Sequence, residues 1–467
     1  MSDPTRLTTA ELTAAYAAGS LSPVEATHAA LARIEAWEPT IHAMYRIHRD
    51  AALAAARDAQ ARWRAGTPRS PIDGVPITLK ENLYTAGDPA PIGCASFEPV
   101  PKTTDSPVAA RVRESGAVLL GKTTMPDMGM LSSGRSSFHG TTRNPWNPAC
   151  NPSGSSSGAG AAGAAGYGPL HVGTDIGGSI RLPANHCGLF GLKPSLGRVP
   201  IDPPYLGRAA GPMTRTVHDA ALLLAQISRP DVRDFMSLPY QPVDYAGQLD
   251  GLSLRGLRIG LIEDMGCGLP VEPAVRANVR AAARALQAEG AVVEPCTPFL
   301  SAGMLAGMQT FFEARSFNDV DAMTPAQRAK MLPYVLEWCT WRAAGFSGRD
   351  VMDAYGQVVA MREAAVRVVA GFDFVLTPVA PIVSYPAQAE SPGMDPHDAL
   401  SHIAFTVAPN MSEQPAASIN WGFSDDGMPI GVQLIGQRFD DLGVLRLSRA
   451  IEQLRPVQRA WPEPPRG

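Results

Sequence analysis

Three short segments hold the residue types that acyl-transfer chemistry uses. Pro152-Ser153-Gly154-Ser155-Ser156-Ser157-Gly158 sets serines among glycines, and Gly173-Thr174-Asp175-Ile176-Gly177-Gly178-Ser179-Ile180-Arg181 places another serine behind a glycine pair. Glycines beside a serine let the backbone come close to a ligand and turn bare N–H groups toward it. Such a run presents a nucleophile and an oxyanion pocket together. The third segment, Gly74-Val75-Pro76-Ile77-Thr78-Leu79-Lys80-Glu81-Asn82, carries a lysine in a mostly apolar setting.

A serine nucleophile needs a base. None of the nine histidines sits in a sequence setting that marks it as one, and His186 reads as structural. Gly154-Ser155-Ser156-Ser157-Gly158 fits the G-x-S-x-G elbow of serine–histidine–acid hydrolases, but an elbow needs a strand before it. Residues 144–152 contain three prolines and read as a loop. Lysine is the better base. Only five of the 40 basic residues are lysines: Lys80, Lys102, Lys122, Lys193 and Lys330. Arginine keeps its proton in a protein, whereas a desolvated lysine gives it up. Moving Lys80 from near 10.4 toward neutrality asks roughly 4 kcal/mol of its surroundings, which Val75, Ile77 and Leu79 are placed to supply. The plainer alternative is a surface pair between Lys80 and Glu81.

The elements that must position these residues alternate between helix and strand. Residues 8–66 read as helical, with capping boxes at Thr8-Thr9-Ala10-Glu11 and Ser22-Pro23-Val24-Glu25. Residues 71–79 read as a turn into a buried strand, and 104–121 as a helix feeding a strand. Residues 116–123 match the phosphate-loop pattern G-x-x-x-x-G-K-[ST]. The four inner residues are themselves the expected strand, so nucleotide binding is not expected there. Residues 159–167, all alanine and glycine but for a final tyrosine, predict a helix pressed tightly against a sheet rather than a linker. Strands are expected at 257–262, 291–293, 374–378, 416–419 and 430–435, with Asp426-Gly427 as a hairpin signal. Helices are expected at 272–289 and over most of 300–370. No linker divides the 467 residues. The expected fold is α/β: a single compact domain with a mixed sheet.

Composition excludes several classes. Apolar residues make up 45% and charged residues 18%, too apolar for disorder. The net charge of −4, with no basic block, speaks against nucleic acid and membrane surfaces as partners. Six scattered cysteines without a Cys-x-x-Cys pair, no signal pattern and no membrane-length apolar run point to the cytoplasm.

The chain resembles the amidase signature family of serine hydrolases. The resemblance runs through the three segments above, Thr142-Arg143-Asn144-Pro145-Trp146-Asn147-Pro148, Leu182-Pro183, Cys187-Gly188-Leu189-Phe190-Gly191-Leu192-Lys193-Pro194, Gly211-Pro212-Met213-Thr214-Arg215 and Pro415-Ala416-Ala417-Ser418. It implies one amidase signature domain over residues 1–467, with a core at about 70–215, built on a large twisted mixed β-sheet covered by helices on both faces. It implies a Ser–cisSer–Lys triad in which Ser179 is the nucleophile, Ser155 the bridging serine on a cis bond and Lys80 the base. The backbone amides of Ile176, Gly177, Gly178 and Ser179 would form the oxyanion hole. Ser156, Asp175 and Arg181 would support the site, with Ser156 helping to hold the lysine network. Where the family has Gly-Gly-Ser-Ser, this chain has Ser153-Gly154-Ser155-Ser156. Residues 125–135 depart further. Gly129, Met130 and Leu131 are expected along the substrate pocket as an apolar wall, and Arg135 is a candidate for an anionic substrate, with a structural role as its alternative. The implied reaction is hydrolysis of a small carboxamide, needing no cofactor and no metal. The partner is a small-molecule amide, with a homodimer possible. The family also holds the A-type component of the glutamine-dependent tRNA amidotransferase, the alternative function, although residues 300–345 show little of that component's arginine-and-tyrosine pattern. A catalytically silent binding protein is disfavoured because all three triad positions are filled.

Overall fold

The computed structural model describes residues 3–465. In chain order its strands are β1 (Met44–Ile47), β2 (Pro76–Lys80), β3 (Val118–Thr123), β4 (Arg135–Ser136), β5 (Gly140–Thr141), β6 (Leu170–Asp175), β7 (Phe190–Lys193), β8 (Ala209–Thr214), β9 (Arg258–Leu261), β10 (Val292–Pro295), β11 (Phe374–Pro378), β12 (Ala416–Phe423) and β13 (Pro429–Ile435). β4 and β5 form a small hairpin, and the other eleven make one sheet in the order β1-β3-β2-β6-β8-β7-β12-β13-β11-β9-β10. β2 runs parallel to both β3 and β6, and β9 parallel to β10 and β11; the remaining pairs are antiparallel. The sheet is mixed, as expected.

Period-two alternation covers both faces. Ile77, Leu79, Leu119, Phe374, Leu376, Ala417, Val432 and Leu434 point to one side. There they meet apolar residues of the helices Thr9–Ala18, Pro107–Ser115, Val217–Ile227, Pro273–Ala288 and Asp441–Leu454. Their strand neighbours Val118 and Leu120 face the other side, against the helices Pro23–Ile41, Arg49–Arg64 and Ser157–Ala165. Val375, Ala416 and Ile435 face that side too, against Ala302–Asp321 and Gly348–Val369.

Both N-terminal capping boxes form. The stretch 8–66 is not wholly helical, however. The chain leaves its second helix through His42 in the left-handed region (φ 48°) and runs through β1 before the third helix begins. Met44-Tyr45-Arg46-Ile47 finds an open edge of β3, and that tertiary pairing overrides the helical bias of the alanine-rich flanks. The phosphate-loop look-alike is strand β3, and its Lys122 is buried with the amine donating to the Leu83 carbonyl. Ser157–Ala165 is a helix buried on every side. A Cβ on its Gly163 would lie 2.6 Å from Leu189 Cδ1, so only a hydrogen fits where it packs. Among the described residues all six cysteines are free, and no helix is long and apolar enough to cross a membrane.

Candidate active site

Strand pairing brings the lysine to the serines. Ile77 and Leu79 turn into one face, which sends Thr78 and Lys80 to the other, where Ser155 and Ser156 lead into the buried helix Ser157–Ala165. β2 and β6 are parallel with Leu79 opposite Val172, so Lys80 and Thr174 finish at the same end of the sheet. In open α/β sheets the crevice beyond the strands' carboxyl ends is where ligands bind. A cavity of about 320 Å³ lies here, lined in part by Ser155, Thr174, Ile176, Gly177 and Ser179.

Lys80 is fully buried and donates to two hydroxyls: Ser155 Oγ at 2.8 Å and Thr174 Oγ1 at 2.9 Å. The surface pair with Glu81 does not form. Glu81 is buried as well and takes the Gly93 amide (3.2 Å) and His139 Nε2 (2.5 Å). Burial pushes the Lys80 amine well below its ordinary value, and the Arg208 charge pushes it further down; the charges of Asp175 and Glu81 pull the other way. Burial also brings Lys122 and Lys193 down to about 7. Those two donate to the carbonyls of Leu83 and Pro194, which cannot pass a proton on. Among the three, Lys80 is the one whose amine meets hydroxyls.

The Gly154–Ser155 peptide is cis. Ser156 does not touch the amine. Its hydroxyl exchanges hydrogen bonds with the backbone of Thr174, donating to the carbonyl at 3.1 Å and accepting from the amide at 3.2 Å. Its own amide donates to the Ser179 carbonyl at 3.1 Å. Ser156 thus ties the two serine clusters together and reaches Lys80 through Thr174, which sequence reasoning passed over. The signal was present: Thr174 ends a strand parallel to the one that ends in Lys80.

Asp175 organises the turn that carries Ser179. Its carboxylate accepts from the amides of Gly178 (2.7 Å) and Ile180 (3.0 Å) and from Arg181 Nε (3.1 Å) and Nη2 (3.0 Å). Asn410 Nδ2 adds a further bond at 2.9 Å. Burial alone would raise this carboxyl, but the Arg181 charge and these hydrogen bonds outweigh it and hold the group at about 2. Of the four amides expected to form the oxyanion hole, Gly178 therefore already has an acceptor. Those of Ile176, Gly177 and Ser179 have none among the described residues.

Gly129 and Met130 line the cavity as expected. Leu131 and Arg135 do not. Leu131 packs instead with Cys94 and Val335. Arg135 starts the β4–β5 hairpin and bonds Thr141 and Gln388 at 3.0 Å each, with Glu390 3.6 Å away, so its role is structural. His186 is also structural: Nδ1 meets the Val383 carbonyl at 2.9 Å, and burial lowers the ring to about 4. Missed in the sequence were Tyr84, Asp202 and Arg208, cavity-lining residues on loops that no local motif marks; Arg315, Trp338 and His402 line the cavity from more distant segments.

A signature lysine beside paired serines on a mixed eleven-stranded sheet defines a class, and comparison with known proteins agrees with it. The sequence profile of the Amidase family matches residues 25–445, and the chain belongs to that family of carbon–nitrogen hydrolases. The A-type component of the glutamyl-tRNA(Gln) amidotransferase of Myxococcus xanthus is 34% identical, with 96% of this chain and 97% of that protein aligned. The component of the same name from Chloroflexus aggregans is 36% identical, with 96% of each covered. Among solved structures, a bacterial aryl acylamidase of the amidase signature family superposes with a TM-score of 0.87 at 27% identity, covering 96% of both chains. The peptide amidase of Stenotrophomonas maltophilia superposes with a TM-score of 0.83 at 27% identity, covering 98% of this chain and 99% of its own.

Proposed function

We propose that this protein is a stand-alone amidase that hydrolyses a small carboxamide through an acyl-enzyme on Ser179. The observation that carries the reading is the buried, downshifted Lys80 amine held 2.8 Å from the Ser155 hydroxyl beside the cavity that Ser179 lines. Neutral Lys80 draws a proton through Ser155 from Ser179, whose oxygen attacks the amide carbonyl. The amides of Ile176, Gly177 and Ser179 receive the oxyanion. The proton returns through Ser155 to the leaving nitrogen, the C–N bond breaks, and ammonia or an amine departs. Water, deprotonated by the same relay, then attacks the acyl carbon and restores Ser179. The relay requires the Ser179 hydroxyl to donate to Ser155.

The test is a panel of primary and N-substituted amides followed by ammonia or amine release, with covalent labelling by a fluorophosphonate. Turnover and labelling are expected in the wild-type protein and absent from Ser179→Ala. Wild-type protein that neither turns over any amide nor takes the label would overturn the reading.

A second reading rests on the identity of 34% and 36% with the A-type amidotransferase components along nearly the whole chain. In that role the same relay would release ammonia from glutamine for a partner chain. Glutamine-selective turnover that appears only with a co-purifying chain would favour it over the first.

A further inference from the structure

The cavity is lined by apolar Met128, Met130, Trp338 and Ile403, by cationic Lys102, Arg208 and Arg315, and by Asp202. Arginines elsewhere in this chain are commonly engaged. Arg181 is paired with Asp175, Arg198 with Asp441 and Arg342 with Glu313. Arg208 and Arg315 have no carboxylate within 4.0 Å among the described residues. Arg208 donates from Nη1 to the Pro203 carbonyl at 2.8 Å, and the Arg315 guanidinium rests 4.4 Å from the centre of the Tyr205 ring.

The nearby acids are otherwise occupied or out of reach. Asp202 takes the Tyr84 hydroxyl, Asp175 is consumed by Arg181, Asn410 and the backbone, and Glu313 holds Trp341 and Arg342. Asp319, one helical turn beyond Arg315, makes no ion pair with it. Burial lowers Arg208 most; the Arg315 charge lowers it further and the Asp202 charge opposes both, while the Arg208 charge adds to the burial that lowers Lys80. Two guanidiniums lining one cavity repel each other, and a bound anion relieves that repulsion. The planar guanidinium fork matches a carboxylate in a two-point fashion.

We infer that the substrate is a carboxamide bearing a carboxylate, which Arg208 and Arg315 bind while the methionine and tryptophan side chains of the lining take the methylenes between it and the scissile bond. The inference rests on the hydrolase reading and narrows its substrate class. The carboxylate can sit on the acyl part or on the leaving amine, and the test separates the two.

The experiment compares kcat/KM within matched pairs. Succinamate against pentanamide probes a carboxylate on the acyl side, and N-acetylglycine against N-propylacetamide probes one on the amine side. In one pair the acidic member is expected to exceed its neutral partner by about tenfold or more, the scale of one charge-assisted contact. Arg315→Gln, at an exposed position, is expected to bring that ratio close to one. Equal rates in both pairs, or a ratio that Arg315→Gln leaves unchanged, would overturn the inference while leaving the hydrolase reading intact. Binding of succinate, followed by calorimetry on Ser179→Ala, reads the anion site without turnover. Succinate affinity that falls in Arg315→Gln, in a protein that cleaves no amide, would keep the anion site and sink the hydrolase reading. Absence of both binding and turnover would sink the two together.

Discussion

Lys80 shares its depressed basicity with Lys122 and Lys193, so a low pKa is not what distinguishes it. Its partners do. Two hydroxyls and a cavity make its lone pair useful, and this sets the pH dependence. In the proposed relay Lys80 would act as a base only when neutral, so kcat/KM should rise with pH through its lowered pKa, giving activity well below the range where free lysine loses its proton. Lys80→Arg should lose activity by about a thousandfold or more at every pH, because arginine keeps its proton; a pH–rate profile checks both statements. The same depression costs stability. Below about pH 10 the unfolded chain holds a proton on Lys80 that the native site resists, so native stability falls as pH drops toward the native pKa. Lys80→Met should therefore be more stable than wild type at pH 7, with the difference shrinking toward pH 10, as urea unfolding at the two pH values would show. Ser153 carries a separate cost. It stands in the left-handed region at φ 66°, where a side chain is unfavourable. Ser153→Gly, the glycine that the family's pattern carries there, should stabilise the fold by about 0.5–1 kcal/mol in the same assay.

At the scale of elements, the site depends on how tightly the two serine clusters press together. The link runs through the strand end at Thr174, where Ser156 bonds both backbone groups. A Cβ on Gly173 would lie 2.6 Å from Ser156 Oγ and 2.9 Å from Met213 Sδ. Gly173→Ala should therefore separate the clusters, cutting kcat by about tenfold to a hundredfold even where circular dichroism shows a folded protein. Asp175 is the second tie. With its carboxylate gone, the buried Arg181 loses its counter-charge and the Gly178 and Ile180 amides lose their acceptor. Asp175→Ala should cost about 3–5 kcal/mol, read as a lowered melting temperature. Neither tie is local in the sense that motif reading uses. Asn410 and Gln433, which complete the Arg181 network, lie more than two hundred residues away.

For the whole molecule, one sheet joins the two halves of the chain. β7, from the signature core, pairs with β12, and β12 with β13. The core at residues 70–215 is thus an interval of sequence and not a unit that closes its own hydrogen bonds. A fragment of residues 70–215 would expose the β7 edge and strip Arg198 of Asp441. It should fail to show the native far-ultraviolet circular dichroism, and limited proteolysis of the full chain should release no stable piece of that span. The helices are well served by their local sequence, as the two capping boxes and the Ser157–Ala165 helix show. β1 was hidden because its pairing partner is about seventy-five residues downstream, and nothing nearby distinguishes its four residues from the helical stretch around them.

Residue type and order alone carried the lysine, the serine clusters and the alternation of helix and strand. Each is expressed within a few residues: a desolvating apolar run, glycines beside a hydroxyl, a capping box, a two- or four-residue periodicity. Tertiary structure decided what lies across space. It gave Lys80 its second hydroxyl from Thr174, gave the Gly178 amide to Asp175, turned Arg135 out of the cavity and brought Arg208 and Arg315 into it. These facts depend on which strand lies beside which and on where loops far apart in sequence meet. A side chain's environment is fixed by its neighbours in space, and for a substrate pocket those neighbours come from every third of the chain.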